Sequence, residues 1–333
     1  MKKLFVLSIL ICTCLVQAMA YEWTDANGVT WTFSQQSYWY DDNGDGNSTN
    51  HYYYTITSVA NYGDEVTVPQ TVYDGETPYT IEAIGSSVFK NNLTLSKVTL
   101  PTTIKYIGVY AFNGCTGLTT VDGTANCEFI ENQAFRDCSS LASVDLTHCM
   151  FLGWGAFYQC SNLTSLGSIA TCKSISDNTF YYCTALQEVD LSDNVNIESY
   201  AFYCCTALSS VGSLKGASIG NCAFYNCQNL TTVDISQATS LGNNAFQNCY
   251  NLTSVGDLSA YTAIPAYAFY GCKKLESVNL SNCRTIGSGA FQNCQTLEEV
   301  DLSKVVSIGE YAFEGCNNLE TVGDIGAVGI FRG

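Results

Sequence analysis

The chain has 333 residues and a formal charge of −17, with 47% of residues hydrophobic and only 13% charged. So acidic a protein repels nucleic acid and anionic lipid headgroups, which argues against both as partners. After the first twenty residues no run reaches the ~18 apolar residues of a membrane-spanning helix.

Residues 1–20 read "MKKLFVLSILICTCLVQAMA". Lys2 and Lys3 form a positive n-region, Leu4 to Val16 an apolar h-region, and Ala18-Met19-Ala20 an A-x-A cleavage site, the pattern of a secretory signal peptide. Cys12 and Cys14 do not follow Gly or Ala, so lipoprotein processing is not expected. The expected mature chain starts at Tyr21 and is secreted or held at the cell surface. Losing Lys2 and Lys3 takes the charge from −17 to −19.

Residues 21–80 hold aromatic, β-prone runs around Asn-Gly and Asp-Gly turn signals. They are expected to form β-hairpins that cap the N-terminal edge of a sheet. "DDNGDGN" (41–47) matches the start of a calcium loop at Asp41, Asn43, Asp45 and Gly46. Its twelfth position is Tyr52 rather than the bidentate Glu of an EF-hand, so a hairpin turn is the better reading.

From residue 81 to 333 the sequence repeats. Phe89, Phe112, Phe135, Phe157, Phe180, Phe202, Phe224, Phe246, Phe269, Phe291 and Phe313 recur every 22 or 23 residues. Ile or Leu stands five before each Phe, Leu six after it, and Val or Leu nine after it. The unit is roughly I-G-x-x-A-F-x-x-C-x-x-L-x-x-V-x-L. Ile, Ala-Phe and Cys fall at helix-like offsets, which predicts a short helix or helical turn. The L-x-x-V-x-L part ends in the alternation of a strand. One unit cannot bury its apolar side alone, whereas stacked units share a continuous core, their strands ~4.8 Å apart. The expected fold is α/β: a right-handed solenoid with parallel strands on a concave face, short helical turns opposite, and the N-terminal β cap. Ile330, 22 residues after Ile308, opens a twelfth unit that no Ala-Phe completes. A ragged edge, an edge covered by another copy and a truncated product all stay open.

This pattern resembles the leucine-rich repeats of the BspA-like bacterial surface-protein family. The resemblance implies a surface or secreted protein that binds other proteins, such as host matrix proteins or other bacterial surfaces, in adhesion. A glycan-binding module and a purely structural envelope protein are the alternatives. An enzyme is not expected, and neither is a cofactor or a bound metal.

Of the 18 cysteines, 16 lie after the signal segment. Ten stand three after Phe, from Cys115 to Cys316, and four stand eight before it: Cys127, Cys149, Cys172 and Cys283. Only Cys204 and Cys222 escape both columns. The expectation is buried structural thiols, with rung-to-rung disulfides as the alternative. Cys204 is expected to point outward. Zinc spacing is absent, since no C-x-x-C occurs after the signal segment and His is limited to His51 and His148. His148 beside Cys149 is an isolated pair that reads as a surface loop rather than a nucleophile and base. The "NLT" strings at Asn92, Asn162, Asn229 and Asn251 arise where the repeat's Leu meets Asn and Thr.

Two exposed surfaces are candidate binding sites. Eight after Phe a hydroxyl column runs from Thr120 to Thr321, interrupted by Glu188 and Glu299. Ten after Phe stand Asp122, Asp145, Asp190, Asp234 and Asp301, with Gly mostly between. Most of these acids would lie two rungs apart, ~10 Å, close to a Debye length. They form a candidate concave-face site for a basic or hydroxyl-rich partner, or else a solvated face. One after Phe stand Tyr158, Tyr181, Tyr203, Tyr225 and Tyr270, and two before it Tyr110, Tyr200, Tyr267 and Tyr311. These read as a candidate aromatic face for protein or glycan, or as a packing ladder.

Overall fold

The structure, a computed structural model, describes residues 20–40, 49–191, 193 and 195–323. Residues 1–19 of the expected signal peptide (1–20), the Asp-Gly run at 41–48 and the start of the twelfth unit lie outside them.

The N-terminal part comprises β1 (Tyr21–Thr24), β2 (Thr30–Tyr40), β3 (Thr49–Ala60), β4 (Glu65–Thr67), β5 (Thr71–Asp74) and β6 (Thr77–Ile84). β1, β2 and β3 pair antiparallel in sequence order. β3 then runs parallel to β6, and β6 to the first rung strand, Tyr106–Ile107. Trp31 and Phe33 are fully buried in this part. They join the same core as the repeats.

Each following unit is one turn of a β-solenoid. The Ile of each unit lies in a two-residue strand, as in Phe129–Ile130, Ser174–Ile175 and Ser218–Ile219. Those strands stack in parallel, in register, into a sheet continuous with β1–β3. The sheet breaks between Leu241 and Ala263 and resumes through Ile264, Ile286 and Ile308. Pro265 supplies the reason. In other rungs the residue after Ile donates its N–H to the preceding Ile carbonyl, as Gly108 does to Ile84 and Gly287 to Ile264, both at 2.8 Å. Proline has no N–H to give. A second ladder forms around the Val position: β4 with Lys97–Thr99 and Thr120–Asp122, Glu188–Leu191 with Ser210–Gly212, and single bridges such as Ser143↔Ser165.

The helical turns expected between Ile and Cys are not there. Among the described residues the single helical element is the 3-10 turn Thr124–Asn126, so the fold is a β-solenoid and not α/β. The backbone sign explains why. In all eleven units the residues two before and two after Phe have φ between 53° and 75°, and an α-helix needs negative φ throughout. The N–H groups alternate in direction instead. Tyr110, Phe112 and Gly114 donate to Asn132, Ala134 and Arg136 of the next rung at 3.2, 2.7 and 2.8 Å. Ala111, Asn113 and Cys115 donate back within their own turn, each at 3.1 Å. The three-residue spacing that looked helical belongs to consecutive tight turns whose inward residues form one wall of the coil.

Inside, the eleven Phe rings form one stack, with centroids 5.0–5.9 Å apart and planes within 13°. Phe89 to Phe291 are fully buried, and the terminal Phe313 is half-buried. Each buried Phe, Leu or Ile contributes roughly 1.5–3 kcal/mol, which suffices to hold a coil whose rungs contact only their neighbours.

Candidate functional site

The cysteine columns are architectural. All sixteen described cysteines are free thiols. Each of the ten that follow Phe by three donates its Sγ–H to the Phe carbonyl of the preceding rung, from Cys115 to Phe89 at 3.0 Å through Cys316 to Phe291 at 3.1 Å. A small apolar group with one weak donor fits that position. Burial pushes the Cys115 thiol up to about 11 and Cys127 to about 12, far from the lowered values of reactive thiols. His148 is exposed with Nδ1 2.7 Å from the Ala125 carbonyl. Cys149 is buried and donates to the Phe151 carbonyl at 3.2 Å, so the two do not form a nucleophile–base pair. Among the described residues no group of three or more His, Cys, Asp or Glu is placed to hold a metal ion.

Cys204 does not point outward; it is 5% exposed. Its thiol is bonded to the Tyr182 hydroxyl and accepts from Asn226 Nδ2 at 3.3 Å. Tyr182 on the rung before and Asn226 on the rung after cover the thiol.

The acids Asp122, Asp145, Asp190, Asp234, Asp301, Glu188 and Glu299 are all exposed. Asp122 pairs with Lys97 Nζ at 3.0 Å. Asp145, Asp234 and Asp301 accept the N–H of Thr147, Ser236 and Ser303 at 2.9–3.0 Å and so close a turn after the strand. Bonds from Ser236 and Ser303, side chain and backbone, hold Asp234 and Asp301 below the usual carboxylate range. The Asp/Gly alternation has a geometric cause. A Cβ on Gly167 would meet Asp145 Oδ1 at 2.7 Å, and one on Gly212 would meet Asp190 Oδ1 at 3.2 Å. These glycines have φ of 65° and 66°. Asp145, Asp190, Asp234 and Asp301 each lean over a Gly on the next rung, whereas Asp122, drawn to Lys97, is followed by Asp145.

Sequence reasoning passed over the neighbouring column, seven after Phe. It is mostly Ser or Thr, and Thr119, Thr164 and Thr253 bond carbonyls of the rung before. In the last three units it becomes Glu276, Glu298 and Glu320. With Ser277, Glu299 and Thr321 these line an open cleft of about 360 Å³. The change from hydroxyl to Glu was the available signal.

On the aromatic face, Tyr158, Tyr181, Tyr203 and Tyr225 stack at 4.6, 4.7 and 4.6 Å with planes within 9°. Arg136 covers the first ring at 4.4 Å. Their ring faces are thus turned on one another. Tyr270 stands outside the stack, because Gln247 occupies the intervening rung; it meets Tyr267 edge-on at 6.1 Å. Two rings that flank the stack are more open: Tyr182 at 41% and Tyr200 at 40% exposure.

A parallel-stranded coil with an inward Leu, Val, Ile and Phe at fixed places in each turn is a leucine-rich-repeat β-solenoid. The model of the BspA type leucine rich repeat region matches residues 82–209 and 196–320, in six copies. The chain belongs to that family. Among solved structures it is similar to a leucine rich cell surface protein from Faecalibacterium prausnitzii, at 25% identity over 92% of this chain and 94% of that one, TM-score 0.46. It is also similar to the pneumococcal vaccine antigen PcpA, at 17% identity over 92% and 83% of the two chains, TM-score 0.51, a likeness of fold alone. A leucine-rich repeat protein from Bacteroides ovatus is 20% identical over 86% and 92%, TM-score 0.40. No curated protein matches the chain. Among the described residues no helix is long and apolar enough to cross a membrane.

Proposed function

We propose that this chain is an exported recognition protein that binds other proteins at or beyond the cell surface, in adhesion. Family membership supports a protein-recognition module, and the signal pattern of residues 1–20 supports export. The observation that carries the reading is the exposed Val-side face. Its hydroxyl and acidic side chains are held in register by parallel rung pairing, as at Thr120↔Ser143↔Ser165 and Glu299↔Thr321. A rigid array of this kind offers a partner many polar contacts without ordering loops. Its charge suits a basic partner.

The glycan alternative needs open ring faces for sugar stacking; Tyr158, Tyr181, Tyr203 and Tyr225 turn theirs on each other, which leaves it chiefly the flanking Tyr182 and Tyr200. The structural envelope alternative predicts no ligand at all. The test is a pull-down of the mature protein against extracellular host proteins and bacterial surfaces, repeated with Asp145→Asn, Asp190→Asn and Asp234→Asn combined. Asn keeps the turn-closing acceptor and removes the charge, so the fold is expected to survive. Loss of the captured protein supports the Val-side face; unchanged capture assigns binding elsewhere.

A further inference from the structure

Ten of the positive-φ positions two before or two after Phe hold residues other than Gly, Asn or Asp; six are spread singly over six units, and four fall in three adjacent rungs: Tyr182, Tyr200, Cys204 and Cys222, with φ of 58°, 60°, 58° and 53°. The other twelve positions hold Gly, Asn or Asp, residues that tolerate this conformation. The two cysteines are also the two that escape both columns. Each is bonded to the tyrosine one rung before it in the same column: Cys204 to Tyr182, Cys222 to Tyr200. Backbone strain gathered in one place is characteristic of functional sites.

What the strain supports is a fixed aromatic surface. Tyr182 leans on Tyr181 and Tyr203 with planes tilted by 44° and 40°, and Tyr200 leans on Tyr203 at 53°. Both rings stay open to solvent and are held before any partner arrives, which lowers the entropy cost of contact. The chain shows what such rings accept. Lys90, Arg136 and Lys273 lie over Tyr110, Tyr158 and Tyr250 at 4.4–4.5 Å. Among the described residues no cation covers Tyr182 or Tyr200. Residues 150–226 carry five acids and two lysines, so the field around the patch favours positive charge.

We propose that the patch centred on Tyr182 and Tyr200 is a docking surface for an arginine- or lysine-bearing polypeptide segment, whose cations seat over these two rings. It is a surface separate from the Val-side face and does not depend on that face binding anything.

The probe is a fluorescent 18-residue peptide of repeated Gly-Ser-Arg, with a citrulline version as neutral isostere, read by anisotropy at physiological salt. The parent protein is expected to bind the arginine peptide at least tenfold tighter than the citrulline one. Tyr182→Asn with Tyr200→Asn, which installs the residue these columns use elsewhere, is expected to weaken binding at least tenfold. Tyr182→Phe with Tyr200→Phe keeps the rings, loses the bonds to Cys204 and Cys222, and is expected to retain affinity. Asp145→Asn, Asp190→Asn and Asp234→Asn combined remove one of the five acids around the patch, Asp190, and are expected to weaken binding by no more than about threefold. Equal binding of the citrulline peptide, retained affinity in the Asn pair, loss in the triple Asp variant, or no binding by the parent each overturns the proposal.

Discussion

Raising the pH from 7.5 to 9.5 attacks this fold through its own core. Cys138, Cys160, Cys183, Cys205, Cys227, Cys249, Cys272 and Cys294 are fully buried. Burial, with lesser repulsion between neighbouring thiolates at several of them, pushes all eight thiols far above the ordinary range. In the folded state they stay protonated through pH 9.5. In the unfolded chain they ionise above roughly 8.5. The unfolded state then binds fewer protons, so stability falls as pH rises through the unfolded pKa and keeps falling until the folded pKa is reached. One unit above 8.5 each thiol has lost about 1.4 kcal/mol, and the eight together roughly 11 kcal/mol. That equals the whole stability of an ordinary domain, about 5–15 kcal/mol. Urea melts followed by far-ultraviolet circular dichroism, with reductant present, at pH 7.5, 8.5, 9.0 and 9.5 are expected to show the midpoint collapsing over the last unit. Cys115, Cys127, Cys149 and Cys316 are raised as well, so Cys205→Ala is expected to reduce the pH slope by about one twelfth. A midpoint that stays put from pH 7.5 to 9.5 refutes the reasoning, because it means the thiols are bridged or do not titrate on unfolding.

Phe202 stacks between Phe180 and Phe224 at 5.3 and 5.2 Å, so Phe202→Ala is expected to cost about 3–5 kcal/mol in urea unfolding. Phe313→Ala, at the half-buried end of the stack, is expected to cost less than half as much. Gly167→Ala imposes a left-handed Ala and displaces Asp145 from its turn; the expected loss is about 2–3 kcal/mol. Combining it with Asp145→Ala is expected to recover about 1 kcal/mol of coupling, and simple additivity would dissociate the two rungs' fates. Native-state alkylation followed by mass spectrometry is expected to reach the half-buried Cys222 and Cys316 first. Cys204 is expected to react with the protected ladder thiols, and early labelling of Cys204 would contradict its burial under Tyr182.

The family, the eleven-unit register and the inward columns were legible in the sequence, because each inward position repeats the same residue type and packing tolerates little else. Ile107, Phe112, Cys115 and Leu118 are all fully buried, as their recurrence required. The free, buried state of the column cysteines follows from the same argument. The turn from Ile to Cys was misjudged, since offsets of three and five suit a helix and a run of tight turns equally. Asn and Gly at many of the positive-φ positions hinted at turns, and Tyr200, Tyr182 and Cys204 in the same columns obscured the hint.

The residues alone determined which side chains face inward, since that is a matter of composition repeated at a fixed period. What the tertiary structure decided were relations between rungs. A residue's nearest neighbours in this coil lie 22 or 23 positions away, so its surroundings are set by another unit's side chain. The carboxylate of Asp145 dictates Gly167 on the next rung. The Phe89 carbonyl receives the Cys115 thiol. Pro265 interrupts a sheet by failing to donate to Leu241. Cys204 is buried because Tyr182 precedes it and Asn226 follows it, a consequence of stacking that no single unit of the sequence contains.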